Sequence, residues 1–203
     1  MLTRVTPRII VPHRGLEAAK TRLAPSLSPE DREALACQLL ERVLTVTRQV
    51  YDDVVVITPS RELAAVVDPT GARVVVQRGM GLNEGLEQAR FDALVDDVDT
   101  LAILHGDLPN IRPDDVEALL AALPQGEPGV AIAPDRAGTG TNGLALRPPG
   151  VIGFRFGTGS FSAHLEEAER AGVPVVAVNR SGLAFDLDTP EDLARWLNLG
   201  DAA

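Results

Sequence analysis

Short runs of apolar, β-branched residues recur along the 203-residue chain, and they constrain its fold more than any other feature. They lie at residues 8–11, 53–58, 72–77, 100–105, 129–133 and 173–178. Their hydrophobicity is continuous rather than alternating, which predicts strands that are covered on both faces, as in a parallel sheet.

Segments with helical periodicity lie between these runs. Ser28, followed by Pro29, Glu30 and Asp31, is a helix-start signal ahead of an apolar stripe that extends to about Val50. The other predicted helices lie at 61–67, 83–95, 114–123, 160–171 and 190–197. Strands that alternate with helices indicate βαβ units, so we expect an α/β fold, a three-layer α/β/α sandwich around a mostly parallel sheet. No repeat or linker divides the chain, and residues 1–203 are expected to form a single domain.

Composition and charge exclude several classes of function. The formal net charge of −10 argues against nucleic acid as a partner. With one cysteine and three histidines the chain cannot form a Cys/His metal cluster, and Cys37, in an apolar stretch, is expected to be a buried structural thiol rather than a nucleophile. No secretory signal or bilayer-spanning run is found, so we expect a cytoplasmic protein with no membrane partner.

The loop after the first predicted strand carries the basic residues Arg14, Lys20 and Arg22. Ligands of open α/β sheets gather at the carboxyl ends of strands, which makes this loop a candidate phosphate site. The chain has eighteen arginines and this single lysine, so Lys20 is a candidate for the compact point charge that arginine cannot supply. The alternatives are a solvated helix face for Lys20 and a solvated basic loop. P-loop and dinucleotide fingerprints are both missing from the sequence.

Aspartates follow two further segments. Asp107, after Gly106 at the end of the fourth predicted strand, is placed to hold a divalent cation, although a turn or capping role is an alternative. Asp186 and Asp188 project from the same face if their segment is extended, and two converging carboxylates suit Mg²⁺. Residues 189–192 also form a helix-start signature, and we expect the helix to begin there, which leaves both aspartates for the metal.

Two glycine-rich loops lie at residues 135–143 and 155–164. The first contains Thr139, Thr141 and Asn142, and the second contains Gly157 and Ser160 at the start of a predicted helix. Exposed backbone N–H groups in such loops and at helix N-termini bind anions. Each loop has a purely structural turn as its alternative.

Together these stretches resemble the 2-phospho-L-lactate guanylyltransferase family of coenzyme F-420 biosynthesis, whose bacterial members act as phosphoenolpyruvate guanylyltransferases. The resemblance extends from Ala19 to Leu193, and its segments are AKTRLAPSLSPEDREALA, GLNEGLEQA, GDLP, DRAGTGTN, FRFGTGSFSAH and DLDTPEDL. DRAGTGTN followed by FGTGSF is a specific pairing, whereas GDLP and DTPEDL are shared with sugar-nucleotide and molybdenum-cofactor nucleotidyltransferases.

The resemblance implies a Rossmann-like, nucleotide-diphospho-sugar transferase-like fold and a role for each matching position. The implied catalytic residues are Lys20, Arg22 and Asp107; the implied Mg²⁺ ligands are Asp107, Asp186 and Asp188. The implied nucleotide-binding residues are Arg14, Lys20, Arg22, Gly81, Leu82 and Asn83, and the implied acid-binding residues are Thr139, Thr141, Asn142, Gly157 and Ser160. Where many members carry a second lysine after the first strand, this chain has His13 and Arg14.

The implied reaction transfers GMP from GTP to a small phosphorylated three-carbon acid and releases pyrophosphate. Phosphoenolpyruvate is favoured, while 2-phospho-L-lactate and 3-phosphoglycerate stay open. The product would pass to a downstream transferase of the deazaflavin pathway, and a homodimer is compatible with the family. The alternatives are a nucleotidyltransferase for a molybdopterin or sugar phosphate, and a non-catalytic GTP-binding regulatory domain.

Overall fold

The computed structural model describes residues 7–16 and 19–200 of the chain. In this part of the chain seven strands form one sheet with the order β3-β2-β1-β4-β6-β5-β7. The strands are β1 (Arg8–Pro12), β2 (Val54–Thr58), β3 (Arg73–Val76), β4 (Leu101–Leu104), β5 (Gly129–Pro134), β6 (Thr141–Arg147) and β7 (Val175–Ala177). Each of the runs at 8–11, 53–58, 72–77, 100–105, 129–133 and 173–178 contains a strand, as predicted.

Helices connect most of these strands. They are α1 (Pro29–Arg48), α2 (Ala64–Val67), α3 (Leu82–Val95), α4 (Pro113–Ala121), α5 (Ser160–Ala171), α6 (Ser181–Ala184) and α7 (Pro190–Gly200). The start of α1 is as predicted, because the Asp31 N–H donates to the Ser28 hydroxyl oxygen at 3.1 Å and Pro29 stands at the first helical position. No helix in the described ranges is both long and apolar enough to cross a membrane.

The sheet is mostly parallel, which confirms the predicted α/β fold. β1 pairs in parallel with β2 and β4, β2 with β3, and β5 with β7. The exception is β6, which runs antiparallel to both β4 and β5. The prediction missed this strand and assigned its first residues to the loop 135–143. The loop is in fact confined to 135–140, the turn of a β5–β6 hairpin, because Thr141 already pairs with Pro134.

Apolar side chains cover both faces of the sheet and give the three layers. On one face Val11 packs with Leu40 and Leu44 of α1 and Leu119 of α4. On the other face Ile10 packs in one cluster with Leu86 of α3, and Ala168 of α5 belongs to the same cluster. Full burial of each large side chain contributes about 1.5–3 kcal/mol, so these two layers hold the strand ends, and the loops that follow them, in fixed positions.

Candidate active site

The strand order brings three segments of the candidate site to one edge of the sheet. β1 and β4 are adjacent and parallel, so their carboxyl ends meet there. β6 runs the other way, and the pairing of Leu104 with Gly143 brings the start of β6 to the same edge. A cavity of about 570 Å³ opens beside this edge. Its lining includes Arg14, Lys20, Arg22, Gly81, Leu82, Asp107 and Asp188.

Lys20 lies between two of the predicted metal ligands. Its Nζ donates to Asp107 Oδ2 at 2.6 Å and to Asp188 Oδ1 at 2.8 Å. Only 8% of the side chain is exposed, which contradicts the alternative of a solvated helix face. Burial lowers the pKa of Lys20, but the two carboxylates outweigh burial and the net shift is upward, so the amine stays charged.

The backbone of Lys20 is strained as well. Its φ of 51° and ψ of 37° lie in the left-handed region, which costs a residue with a Cβ about 1–3 kcal/mol. The ion pairs with Asp107 and Asp188 fix the Lys20 side chain and offset this conformational free energy. Burial would raise the pKa of Asp107, but the charge of Lys20 outweighs it and lowers that pKa.

The three predicted metal ligands lie close together. The Leu187 N–H donates to the Asp107 backbone oxygen at 3.1 Å, which holds the segment of Asp186 and Asp188 beside Asp107. Burial raises the pKa of Asp186, and the negative charge of Asp107 raises it further. Asn142 Nδ2 donates to Asp186 Oδ1 at 3.1 Å and so joins β6 to this cluster.

Whether these carboxylates bind a metal stays a prediction. In the described residues no group of three or more His, Cys, Asp or Glu side chains is arranged to hold a metal ion. Lys20 instead bonds one oxygen of Asp107 and one of Asp188. The helix-start interpretation of 189–192 is confirmed, because the Thr189 N–H donates to Asp192 Oδ2 at 3.0 Å and the Asp192 N–H donates to the Thr189 hydroxyl at 3.2 Å.

The nucleotide-side residues differ in their surroundings. Arg14 and Arg22 are exposed, and Arg22 Nη1 is 3.8 Å from Asp188 Oδ2. His13, which precedes Arg14 in this loop, accepts a hydrogen bond from the Gly15 N–H at its Nδ1. Burial lowers the pKa of His13 to about 4, so this ring is neutral at pH 7 and Arg14 carries the charge of the pair.

Asn83 has a different environment from Gly81 and Leu82, with which it was predicted to bind the nucleotide. Gly81 and Leu82 line the cavity, and Gly81 precedes α3 with a φ of 105°. The amide of Asn83 instead bonds the backbone of Phe156 in both directions, at 3.0 Å each.

Two of the segments that carry the predicted acid-binding residues Thr141, Gly157 and Ser160 are joined by His164, which contacts Thr141 and the Arg155 backbone. Its Nε2 accepts from the Arg155 N–H at 3.0 Å, so the neutral ring carries its proton on Nδ1 and donates it to the Thr141 hydroxyl at 3.1 Å. The Ser160 N–H donates to the Gly157 oxygen at 3.2 Å, and Gly157 has a φ of 133°, a conformation that favours glycine.

The other two predicted acid-binding residues, Thr139 and Asn142, lie in the hairpin. Asp135 accepts from both the N–H (2.8 Å) and the hydroxyl (3.4 Å) of Thr139, which is a turn contact. Asn142 is buried and also donates to the Leu183 oxygen at 3.0 Å. The cavity lining contains none of the five predicted acid-binding residues, whereas it contains Arg14, Lys20, Arg22, Gly81 and Leu82, which were predicted to bind the nucleotide.

Sequence reasoning missed two histidines of the site. His164 of α5 is only 1% exposed, and its ring packs edge-on against Phe156 at 4.8 Å. His105 lines the cavity, lies 5.6 Å from the Phe156 ring, and has a buried Nε2 without a hydrogen-bond partner among the described residues. The position of His105 two residues before Asp107 was the only signal in the sequence.

Comparison with curated proteins finds relatives over most of the chain. A phosphoenolpyruvate guanylyltransferase of Sphaerobacter thermophilus is 46% identical over 93% of this chain and 91% of its own length. A 2-phospho-L-lactate guanylyltransferase of Methanothermobacter thermautotrophicus is 35% identical over 95% and 84%. A 3-phospho-D-glycerate guanylyltransferase of Colwellia psychrerythraea is 29% identical over 91% and 88%.

Solved structures share the fold at lower identity. A nucleotide-diphospho-sugar transferase described as putative, from Desulfovibrio desulfuricans, superposes with a TM-score of 0.79 at 21% identity and covers 96% of this chain and 87% of its own. The glucosyl-3-phosphoglycerate synthase of Mycobacterium tuberculosis, solved with Mg²⁺ and uridine diphosphate, has a TM-score of 0.63 at 16% identity, with 87% and 69% covered. The family profile "Guanylyl transferase CofC like" matches residues 7–202. This chain belongs to that family of guanylyltransferases.

Proposed function

We propose that the chain transfers GMP from GTP to phosphoenolpyruvate and releases pyrophosphate, as a step of coenzyme F-420 biosynthesis. The observation that carries the proposal is the cavity of about 570 Å³ at the sheet edge, which Lys20 and Asp107 line together. The Sphaerobacter thermophilus relative, 46% identical and named for phosphoenolpyruvate, supports this acid over the two others.

GTP occupies the cavity in this proposal. Lys20, Arg14 and Arg22 line it and neutralise the triphosphate on a chain whose formal net charge is −10. Gly81 and Leu82 line the same cavity and border the base. The assignment of individual residues to the nucleotide, the acid or the metal ion is part of the proposal.

In the proposal the acid binds beside the cavity next to Gly157, whose oxygen accepts from the Ser160 N–H and whose segment is joined to Thr141 through His164. Gly157 lies three residues before α5, which begins at Ser160, and a helix N-terminus favours a phosphate or carboxylate group. The hydrogen bond from Asn142 to Asp186 joins the acid side to the aspartate cluster, so the two substrates meet at Asp107 and Asp186.

The proposal assigns Asp107, Asp186 and Asp188 to a divalent cation such as Mg²⁺, although Lys20 bonds two of them and the three are not arranged around one point here. Asp107 Oδ1 is buried with no hydrogen-bond partner among the described residues, and the mutual repulsion of Asp107 and Asp186 raises the pKa of Asp186 beyond the effect of its burial. A cation held there supplies positive charge to two polyanionic substrates.

The reaction requires no general base from the protein. The second pKa of a phosphate monoester is about 6, so the acid's phosphate is largely a dianion at neutral pH. One of its oxygens forms a bond to the α-phosphorus of GTP, and the bond from the α-phosphorus to the bridging oxygen breaks, so that pyrophosphate leaves with the electron pair. Lys20 and Arg22 stabilise the charge that develops on this leaving group.

Pyrophosphate release with GTP, Mg²⁺ and phosphoenolpyruvate tests the proposal. We expect turnover by the wild type, loss of about a hundredfold or more in Asp107→Asn, and wild-type rates in the matched control Asp52→Asn, whose side chain is 96% exposed. Turnover by Asp107→Asn at the wild-type rate would remove Asp107 from the reaction.

Parallel assays with 2-phospho-L-lactate, 3-phosphoglycerate, a sugar 1-phosphate and molybdopterin identify the second substrate. GTP binding without pyrophosphate release in every assay would instead favour a regulatory domain. The cytoplasmic location, a homodimer and transfer of the product to a downstream transferase stay predictions.

A further inference from the structure

Asn83 connects the loop beside the nucleotide cavity to the loop beside the acid. It is the second residue of α3, and its amide bonds Phe156, which lies 73 positions later in the chain. Asn83 Nδ2 donates to the Phe156 oxygen at 3.0 Å, and Asn83 Oδ1 accepts from the Phe156 N–H at 3.0 Å. The two bonds fix the amide orientation, because the N–H of Phe156 needs an acceptor and its carbonyl needs a donor.

Phe156 directly precedes Gly157, so a shift of its backbone moves the acid loop. The Phe156 side chain is only 7% exposed and packs between the rings of His105 and His164. His164 fixes the preceding peptide by accepting from the Arg155 N–H. The Arg155–Phe156 backbone is therefore held by α5 on one side and by Asn83 of α3 on the other.

Asn83 differs from the two residues before it in its position relative to the cavity. Gly81 and Leu82 are among the residues that line the cavity, and Asn83 is not. We infer that Asn83 is a positioning residue of the acid site, which acts through the backbone of Phe156 and Gly157 rather than through contact with the guanine base. The inference rests on the proposed function, in which Gly157 borders the acid and the cavity holds GTP.

Removal of the amide releases the Phe156 backbone on the α3 side. A misplacement of about 1 Å can cost an enzyme roughly a hundredfold, and because the displaced loop borders the acid, Asn83→Ala is expected to raise the KM for the acid about ten- to a hundredfold. Asn83→Asp retains an acceptor for the Phe156 N–H but places a carboxylate oxygen against the Phe156 carbonyl. It is therefore expected to raise the same KM. The KM for GTP should stay within about twofold in both variants, because the cavity lining is unchanged.

The test measures KM for GTP, KM for the acid and the preference for GTP over ATP in wild type, Asn83→Ala and Asn83→Asp. Asn198→Ala, an exposed position on α7, is the matched control and should behave as wild type. A raised KM for the acid with unchanged GTP kinetics supports the inference. A raised KM for GTP, a weakened preference for GTP, loss of both substrates together, or wild-type kinetics overturns it. Turnover by the wild type is measured first. If the wild type turns over no acid, the proposed function itself is refuted, and this outcome is distinct from a difference between the variants.

Discussion

The buried ring of His164 predicts a loss of stability in mild acid. The ring is 1% exposed, accepts from the Arg155 N–H and donates to the Thr141 hydroxyl, an arrangement that only a neutral imidazole satisfies. Burial lowers its pKa from 6.5 to about 4. The unfolded chain therefore binds a proton between pH 6.5 and about 4 that the folded chain does not, and stability falls as the pH decreases through this window.

The size of the effect follows from the two pKa values. The full difference corresponds to about 3 kcal/mol, and about 2 kcal/mol of it is lost between roughly pH 7.5 and pH 5. Above about pH 6.5 both states are neutral, and below about pH 4 both are protonated, so neither range adds to the loss.

Urea unfolding of wild type and His164→Gln over this pH range measures the effect. Glutamine retains an acceptor for the Arg155 N–H but does not titrate, so its unfolding free energy should fall by about 2 kcal/mol less than that of the wild type between pH 7.5 and pH 5. Because His13 titrates in the same direction, only the difference between the two proteins reports on His164. Parallel pH curves, or an NMR titration of the His164 ring near pH 6.5, would refute the argument.

Three further predictions concern charge, backbone and core. Lys20→Met leaves Asp107 without its cation and should lower kcat/KM for GTP about a hundredfold or more in the pyrophosphate assay; unchanged kinetics would return Lys20 to a structural role. In Gly157→Ala the new Cβ meets no atom within 4 Å, but the φ of 133° strains the alanine backbone by about 1–3 kcal/mol. This strain should appear as a raised KM for the acid, and an unchanged KM would contradict the prediction. Leu104→Ala should lower the urea unfolding free energy by about 2–5 kcal/mol, against less than about 0.5 kcal/mol for the 56% exposed Leu197→Ala; equal effects would contradict the assigned core.

The fold was predictable where local hydrophobicity decides it. Strands buried on both faces need continuous apolar runs, and those runs identified all the strands except β6. β6 has only the apolar stretch 144–146 behind a glycine-rich segment, and its burial comes from its insertion between β4 and β5. The insertion of a hairpin into a parallel sheet depends on contacts between residues far apart in the chain, so the local sequence pattern does not predict it.

The site was predictable in composition but not in contacts. Asp107, Asp186 and Lys20 were identified from strand ends and residue counts, whereas the ion pair between Lys20 and Asp107 joins positions 87 apart. The bonds between Asn83 and Phe156 likewise span 73 positions. Such contacts depend on how helices and loops pack around the sheet edge, and spacing along the chain does not specify them.

The antiparallel direction of β6 has a consequence for how such a protein diversifies. The hairpin turn, the start of β6 and the loop into α5 together form one continuous stretch, residues 135–164, which carries every position assigned to the acid. The positions that the proposal assigns to GTP all lie earlier, between residues 14 and 82, on separate loops. Under the proposed assignment we therefore expect that exchange of the segment 135–164, together with Asn83, which holds its loop, changes the acceptor while the donor nucleotide stays the same.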